Sequence, residues 1–596
     1  MNRSQVFPTI LKRKSRKPAS WMMLAVWIGF APGINFLATD SLISSSVSAQ
    51  ELLQEAPESP ADSSSESATD LTDPVVVVTL GSISQLTQDL NYLSGAIGTP
   101  QLGFTFAMMA GTFTQGIDSS QPIGVVVPLV DGTPEPMALI PAADVKSFLK
   151  TMEAQTGPAD ELDDGTLVIA IGANTVFIRQ SGPWAVLARN RAVLDRAPAD
   201  PGTLIGEMGR DYDIAIKLDV QKIPVSVRDA LIGQLRQGFE QAMARQAADQ
   251  ADKANEIATS SLEQIEQVIG QTDELMFGID IDGTNRRVVV DTAFTAVPGS
   301  SLADIYEGQR PITSQFASVV RDDAAMYLHA ASTVSPETAE QLKSSLQSIV
   351  KSIPEMLSEI EELGETERTE AAEMIERIID LVLESYGEGK VDLGVLMMAD
   401  GQGMQLAIGS FVSEGDKAAQ IVKDIADKVK GLENAPRFQF DIETYKDVTL
   451  HMMEADVPDD EEQVKKVFGD TIRIHIGTGP TSVYLALGDT SVPLLREMID
   501  NAAATEDTVA TGSQLAVAEF NLAPLLQFAK SIDSNDSIAS MLDALARSDD
   551  LGQVKLKSDS IANGSKSRFV VGDGLIKALG TAYREAQKAK MQDAEF

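Results

Sequence analysis

The chain has 596 residues, of which 43% are hydrophobic, 23% charged and 5% aromatic, a mixture that belongs to a folded globular protein rather than a fibrous or disordered one. It holds no cysteine, which excludes disulfide scaffolds, thiolate metal sites and cysteine nucleophiles. With 48 Lys plus Arg against 87 Asp plus Glu the formal net charge is −39, so phosphate backbones and anionic lipid are repelled and nucleic acid is not an expected partner.

Residues 1–49 read as a signal peptide. Arg3, Lys12, Arg13, Lys14, Arg16 and Lys17 form a basic leader. Trp21 to Phe30 is an apolar core, and Val47-Ser48-Ala49 supplies the small residues that a signal peptidase requires. The apolar run, broken by Pro32 and Gly33, is short for a bilayer span, so no stable span is expected after cleavage. Removing six positive charges and one negative takes the net charge to −39 − 6 + 1 = −44. Residues 50–74 are an acidic, Ser- and Pro-rich linker with few large apolar groups, too polar to offset the entropy of ordering.

From residue 75 onward, four short patterns occur twice in the same order. Ile123–Val130, Asp131-Gly132 and Met137–Ile140, followed by a helical stretch at 142–152, answer Leu393–Ala399, Asp400-Gly401 and Met404–Ile408 with a helix near 416–425. Each reads as a hairpin around an Asp-Gly turn, where glycine tolerates a positive φ. Leu167–Ile171 and Val176–Ile178, running into a helix at Trp184–Leu194, answer Ile472–Ile476 and Val483–Leu485 with a helix at Ser491–Ile499. Ile214–Val220 and Pro224 answer Leu515–Leu522 and Pro524. Finally, Gly283 to Val290 (GTNRRVVV) answers Gly564 to Val571 (GSKSRFVV), preceded by Asp282 and Asn563. The repetition predicts two homologous domains, 75–306 and 312–590.

Long helical candidates lie between these patterns. Asp229–Gln271 carries Leu231, Leu235, Phe239 and Met243 every four residues, and Pro336–Tyr386 is similar, with Pro354 and Gly364-Glu365 expected to divide it. One apolar and one charged face is the pattern of helices packed on a sheet. Hairpins followed by helices, without regular βαβ alternation, predict an α+β fold with antiparallel sheets.

The chemistry is sparse. Phe277 to Thr284 (FGIDIDGT) resembles the first signature of haloacid-dehalogenase-like phosphatases, which implies Asp280 as nucleophile and Asp282 as acid/base. The motif runs straight into a strand-like segment and its duplicate has Ser560 and Asn563 in place of the acids, so a hairpin turn is the expected reading. Asp280, Asp282, Gly283 and Asn285 also resemble part of a calcium loop, but Asp291 stands where the bidentate glutamate is needed. Asp459 to Glu462 forms another acidic run, expected to be solvated. His329, His451 and His475 lie in strand-like runs without ligand spacing; His451 and His475 are placed to meet across adjacent strands. Met108-Met109, Met397-Met398 and Met452-Met453 are expected to fill cores. Asn563-Gly564-Ser565 matches a glycosylation sequon. No nucleophile elbow, Walker loop or dinucleotide fingerprint occurs.

The basic leader, the missing cysteines and the repeated hairpin–helix units resemble uncharacterised exported bacterial proteins, planctomycete ones among them, with duplicated α+β domains. That resemblance implies export to the periplasm, cell envelope or extracellular space. No catalytic, cofactor-binding or metal-binding residue and no cofactor is assigned. The expectation is a non-enzymatic protein that binds another protein or an apolar ligand, or has a structural role. A divalent-metal or carboxylate-dependent hydrolase and a calcium-stabilised adhesion module stand as alternatives.

Overall fold

A computed structural model describes residues 74–594, apart from 131, 173, 196, 245–265, 359–363, 431–434, 505–511 and 534. The leader, nearly all of the linker and the middle of the expected Asp229–Gln271 helix lie outside the described residues. The fold is α+β with antiparallel strands. The described residues divide into two compact units, one of 74–307, 519–526 and 535–594, the other of 308–518 and 527–533. Residues 535–594 thus group with the first half of the chain.

The larger unit opens with β1 (Val76–Leu80), the helical pair α1 (Ile83–Ala96) and α2 (Pro100–Phe113), and β2 (Ile123–Val127). A small hairpin of β3 (Leu129–Val130) and β4 (Thr133–Pro134) precedes β5 (Met137–Ile140) and α3 (Val145–Thr156). Next come β6 (Asp160–Glu161), β7 (Leu167–Ile171), β8 (Asn174–Ser181), β9 (Trp184–Ala188), α4 (Arg191–Asp195), α5 (Met208–Asp211) and β10 (Ile214–Asp219). After α6 (Val225–Ala244), β11 (Thr272–Asp282) and β12 (Arg287–Ala296) form a long hairpin, closed by α7 (Ser301–Glu307). Trp184–Ala188 is a strand, not the start of the expected helix. It is a short apolar run with a partner on each side, β5 and β8, and periodicity alone does not separate such a run from a buried helix.

The smaller unit begins with β13 (Met326–Thr333), the helical pair α8 (Pro336–Ser358) and α9 (Glu365–Gly387), and the hairpin β14 (Lys390–Ala399) and β15 (Met404–Phe411). It continues with α10 (Gly415–Val429), β16 (Arg437–Tyr445), β17 (Val448–Asp456), α11 (Glu462–Phe468), β18 (Thr471–Thr478), β19 (Ser482–Leu487) and α12 (Val492–Ala504). Its ladders run β16–β17–β18–β19–β15–β14–β13–β20, where β20 is Gln514–Asn521. Pro354 does not divide α8, as the sequence had suggested; the helix passes through it. Ile353 and Leu357, on either side, are buried against Ala371, Ile375 and Ile379 of α9, and that packing outweighs one missing hydrogen bond. Both faces of this sheet are covered. Phe316, Leu495 and Met498 pack on Tyr327, Leu396 and Tyr484. Met374 and Leu381 of α9 with Ala418 and Ile421 of α10 cover the side of Val483.

The chain then passes through β20 and α13 (Leu522–Ile532) to α14 (Asp536–Leu545), β21 (Gln553–Ile561), β22 (Gly564–Gly572) and α15 (Asp573–Ala594). β22 pairs with β21 and, on its other side, with β12. The larger unit therefore holds one antiparallel run, β6–β7–β8–β9–β5–β2–β1–β10–β11–β12–β22–β21.

Candidate functional site

Side chains two apart on a strand share a sheet face, so the registers define rows across the larger unit. One row is Val125–Val78–Ile216–Phe277. The next is Ile123–Leu80–Ile214–Ile279–Val290–Phe569, crossing β2, β1, β10, β11, β12 and β22. Leu80, Val125, Ile214, Ile216, Phe277 and Phe569 are between 36% and 41% exposed, although they sit in the middle of an unbroken antiparallel run. Six strands at about 4.8 Å spacing make an apolar strip roughly 24 Å long.

The strip is bounded rather than flat. At one end α3 covers the same face of β7, β8 and β9 through Val145, Phe148 and Leu149, packed on Leu167, Ile178 and Ala185. Along one side α7 lies over the following row, with Leu302 and Tyr306 on Leu275 and Phe294, whose ring centroid is 5.1 Å from that of Tyr306. In the smaller unit, the corresponding face of β14 carries α9. In the larger unit the helical pair between β1 and β2 does not fill that role. Its α1 meets instead the turn after β11, where the Gly283 N–H donates to Asp89 Oδ1 at 3.2 Å. A contiguous apolar surface of this kind marks a ligand groove or an interaction site.

The opposite face of β10–β12 is polar. Asp291, with no exposed surface, accepts from Arg568 Nε at 2.8 Å and Nη2 at 2.7 Å, and from the Tyr212 hydroxyl at 2.7 Å. Burial pushes this carboxyl up, but the guanidinium and the phenol together hold it below the usual carboxylate range. Burial pushes Asp213 up to about 6, against the Ile281 N–H that donates to its Oδ2 at 2.6 Å. Burial also raises Asp89 and Asp280. Asp89 and Asp213 are 6% and 1% exposed, while Asp280 is half-buried and the Arg568 side chain keeps about half of its surface in solvent.

The structure places the residues singled out by sequence as follows. Asp280 and Asp282 end β11, and the D-x-D-G-T stretch is the strand end and turn of a hairpin. Asp282 accepts from the Asn285 N–H at 2.8 Å, Asn285 Nδ2 at 2.6 Å and Arg287 Nε at 3.1 Å. Its oxygens therefore serve the turn. The positive φ values fall on Arg286 and Asn563, not on Gly283 and Gly564. Gly564 is needed for another reason: a Cβ there would lie 1.9 Å from the Phe294 carbonyl oxygen on β12. In the acidic run, Asp459 pairs with Lys465 at 2.7 Å. Among the described residues no group of three or more His, Asp or Glu is arranged to hold a metal ion.

His451 and His475 do not meet. His451 stands opposite Ile476 and His475 opposite Met452, so the two rings point to opposite faces. His451 is buried, taking the Asp441 N–H on Nδ1 and facing the Thr478 hydroxyl through Nε2, each at 3.1 Å. His475 contacts Asp489 at 2.9 Å. Both ring nitrogens of His329 are buried without a partner, and burial pushes its pKa down to about 4. Met453 is a core residue and Met398 packs against a core. Met108 and Met109 instead are 61% and 56% exposed on α2, a correction to the expectation of core filling.

Sequence reasoning missed the strip altogether. Its strands are apolar on both faces, as in IGVVV and VVVTL, so no alternation separates the covered side from the open one. No family model and no curated protein matches the chain. Among solved structures, that of TP0453, a Treponema protein, aligns with 38% of this chain and 81% of its own length at 7% identity and a TM-score of 0.21, a likeness too slight to carry an argument.

Proposed function

We propose that this is an exported, non-enzymatic protein that binds an apolar, lipid-like ligand on the strip of the larger unit. The observation that carries the reading is the row of half-exposed aliphatic and aromatic side chains across six paired strands. Fully burying such a side chain is worth about 1.5–3 kcal/mol, so covering the exposed two-fifths of six of them contributes on the order of 5 kcal/mol before the ligand's own area is counted. The polar layer on the opposite face supports a binding scaffold over a hydrolase, because its carboxylates are engaged with Arg568, Tyr212 and backbone N–H groups.

We also infer that the two halves descend from one duplicated unit. In support, β1, β2, β5 to β10 pair in the order 6–7–8–9–5–2–1–10, and β13 to β20 pair in the order 16–17–18–19–15–14–13–20. A helical pair follows the first strand of each series and one long helix follows the third, counting in chain order and setting aside the β3–β4 hairpin. On this equivalence Leu167–Ile171 corresponds to β17 rather than to Ile472–Ile476 of β18, one strand away from the match made by sequence.

Native mass spectrometry of the protein as recovered from its host tests the ligand reading, together with displacement of a fluorescent fatty acid. A bound lipid-like mass is expected, and Ile216→Lys combined with Phe277→Lys should weaken fatty-acid binding by roughly tenfold or more. Repeated absence of any bound mass, or unchanged binding by the double variant, overturns it.

A further inference from the structure

Helix α2 has the wrong surface for water. Its sequence, PQLGFTFAMMAGTF, contains no charged residue. It packs on α1, where a Cβ at Gly103 would press on Asn91 and Ser94. The side turned away exposes Leu102, Phe104, Met108 and Met109 at 61%, 66%, 61% and 56%. Thr105 and Thr112 lie among them, and both hydroxyls donate back to their own helix, to Gln101 O at 2.8 Å and Met108 O at 3.1 Å. Those donors are satisfied without water. A helix that is apolar all round is normally found buried or in a membrane.

We propose that α2 docks the protein onto the surface of a neutral, zwitterionic lipid bilayer, lying in the interface with Phe104, Met108 and Met109 among the acyl chains. Three observations choose this occupant. First, the whole stretch from Leu90 to Ile117 is free of Asp, Glu, Lys, Arg and His, in a chain with a net charge of −39. A protein-binding patch has an apolar centre but a polar, charged rim; the turns at both ends of α2 supply no charge of their own, and Arg584 of α15, which reaches the first of them, is engaged with the Ile97 carbonyl and the Thr581 hydroxyl. Second, 14 residues make a helix about 21 Å long, too short to span a bilayer and suited to lying in its interface. Third, the helical pair in the same chain position of the smaller unit, between β13 and β14, carries charges along its length, among them Glu370, Arg377 and Glu384. Charge is absent from α2 specifically.

Helix α15 meets the end of α1 at Gly580, where a Cβ would lie 2.6 Å from Ile97 Cα, and it exposes Leu579 and Tyr583 at 59% and 63% on one of its faces. The net charge fixes the lipid class: anionic membranes repel the protein, so neutral headgroups are favoured.

The absence of cysteine makes a site-specific test direct. Met108→Cys labelled with the environment-sensitive dye NBD should shift to the blue and brighten when phosphatidylcholine vesicles are added to the full-length protein. The same label at Glu376→Cys on α9 should not respond. Phe104→Glu with Met109→Glu in the Met108→Cys background should lower the vesicle-bound response by about tenfold or more, with the circular dichroism spectrum unchanged. Ile216→Lys with Phe277→Lys should leave the response intact, so failure of the strip reading and failure of this one are told apart. An unresponsive label at position 108 overturns the proposal. So does a response that appears without vesicles and grows with protein concentration alongside a dimer in light scattering, because a second copy would then be the occupant.

Discussion

Asp213 offers a quantitative test of the polar layer beneath β11. It is 1% exposed, its Oδ2 accepts the Ile281 N–H at 2.6 Å and its Oδ1 has no partner. Burial lifts its pKa from 3.8 to about 6. Because the folded pKa lies above the unfolded one, the folded state holds its proton to higher pH, and stability is lost as pH rises from about 4 through 6. The whole shift is worth about 3 kcal/mol, and about half of that falls between pH 5 and pH 7.5. Asp89 and Asp280 are raised too, so the larger unit as a whole should be more stable at pH 5 than at pH 7.5.

Asp213→Asn removes one share of this dependence while keeping an acceptor for the Ile281 N–H. Its amide leaves donors unpaired where the Oδ1 now stands, a penalty of about 1–3 kcal/mol that does not vary with pH. The informative quantity is therefore the slope. From Gln50 onward Trp184 is the sole tryptophan of the chain, and it is buried in the larger unit, so urea unfolding followed by tryptophan fluorescence reports that unit. Between pH 5 and 7.5 the variant should lose about 1.5 kcal/mol less than the parent. Parallel curves for parent and variant over that range would refute the account of Asp213 as a proton-holding interior group.

Two further outcomes follow from β12 and β22. Arg568→Met leaves the Asp291 carboxylate, which has no exposed surface, with only the Tyr212 hydroxyl at 2.7 Å and the more distant Lys566 at 3.8 Å, and should cost about 3 kcal/mol. Asp291→Asn should cost only about 1–2 kcal/mol, since the Arg568 side chain is 49% exposed and regains water. A double-mutant cycle followed by Trp184 fluorescence measures both, and equal single losses would contradict the asymmetry. Gly564→Ala places a methyl group against the Phe294 carbonyl and should destabilise the β12–β22 ladder by about 3 kcal/mol or more. Faster hydrogen exchange at β22 amides would register that loss, whereas Gly572→Ala, whose Cβ meets the Asp550 side chain rather than backbone, should do less.

The elements were legible wherever local chemistry and tertiary context agree. The hairpin of β14 and β15 lies around Asp400-Gly401, and β10 follows Ile214 to Asp219 and leads past Pro224 into α6, as the apolar runs suggest. Reading failed where context decided. Trp184–Ala188 is too short and too uniformly apolar to declare its class, and two flanking strands make it β9. Pro354 has the chemistry of a helix stop, yet the α8–α9 core carries the helix through it. The turn glycines illustrate a subtler failure. Asp-Gly and Asn-Gly were read as turns that favour a left-handed glycine; Gly132 is one, at φ 77°, but at Asp282-Gly283 and Asn563-Gly564 the left-handed residues are Arg286 and Asn563, and Gly564 answers a steric demand from another strand. No local window contains that neighbour.

On the proposed duplication, the two surfaces that carry the functional reading share one cause, which accounts for neither being visible in the sequence. In the smaller unit the pair α8–α9 is long, charged on its outer side and laid against β14, so the apolar strands beneath it are ordinary core. In the larger unit the pair in that chain position is short, and α2 is uncharged throughout. Helix α1 spends its contacts on the turn after β11 and on α15. If the two halves descend from one unit, as proposed, moving that cover leaves open both the sheet rows beneath it and the helix face that would have lain on them. Strand segments and helix alike keep the composition of buried elements, which is why Met108 and Met109 read as core. An apolar residue announces that it is covered by something low in dielectric, and a sequence does not say whether that cover comes from the same chain or from a ligand and a bilayer.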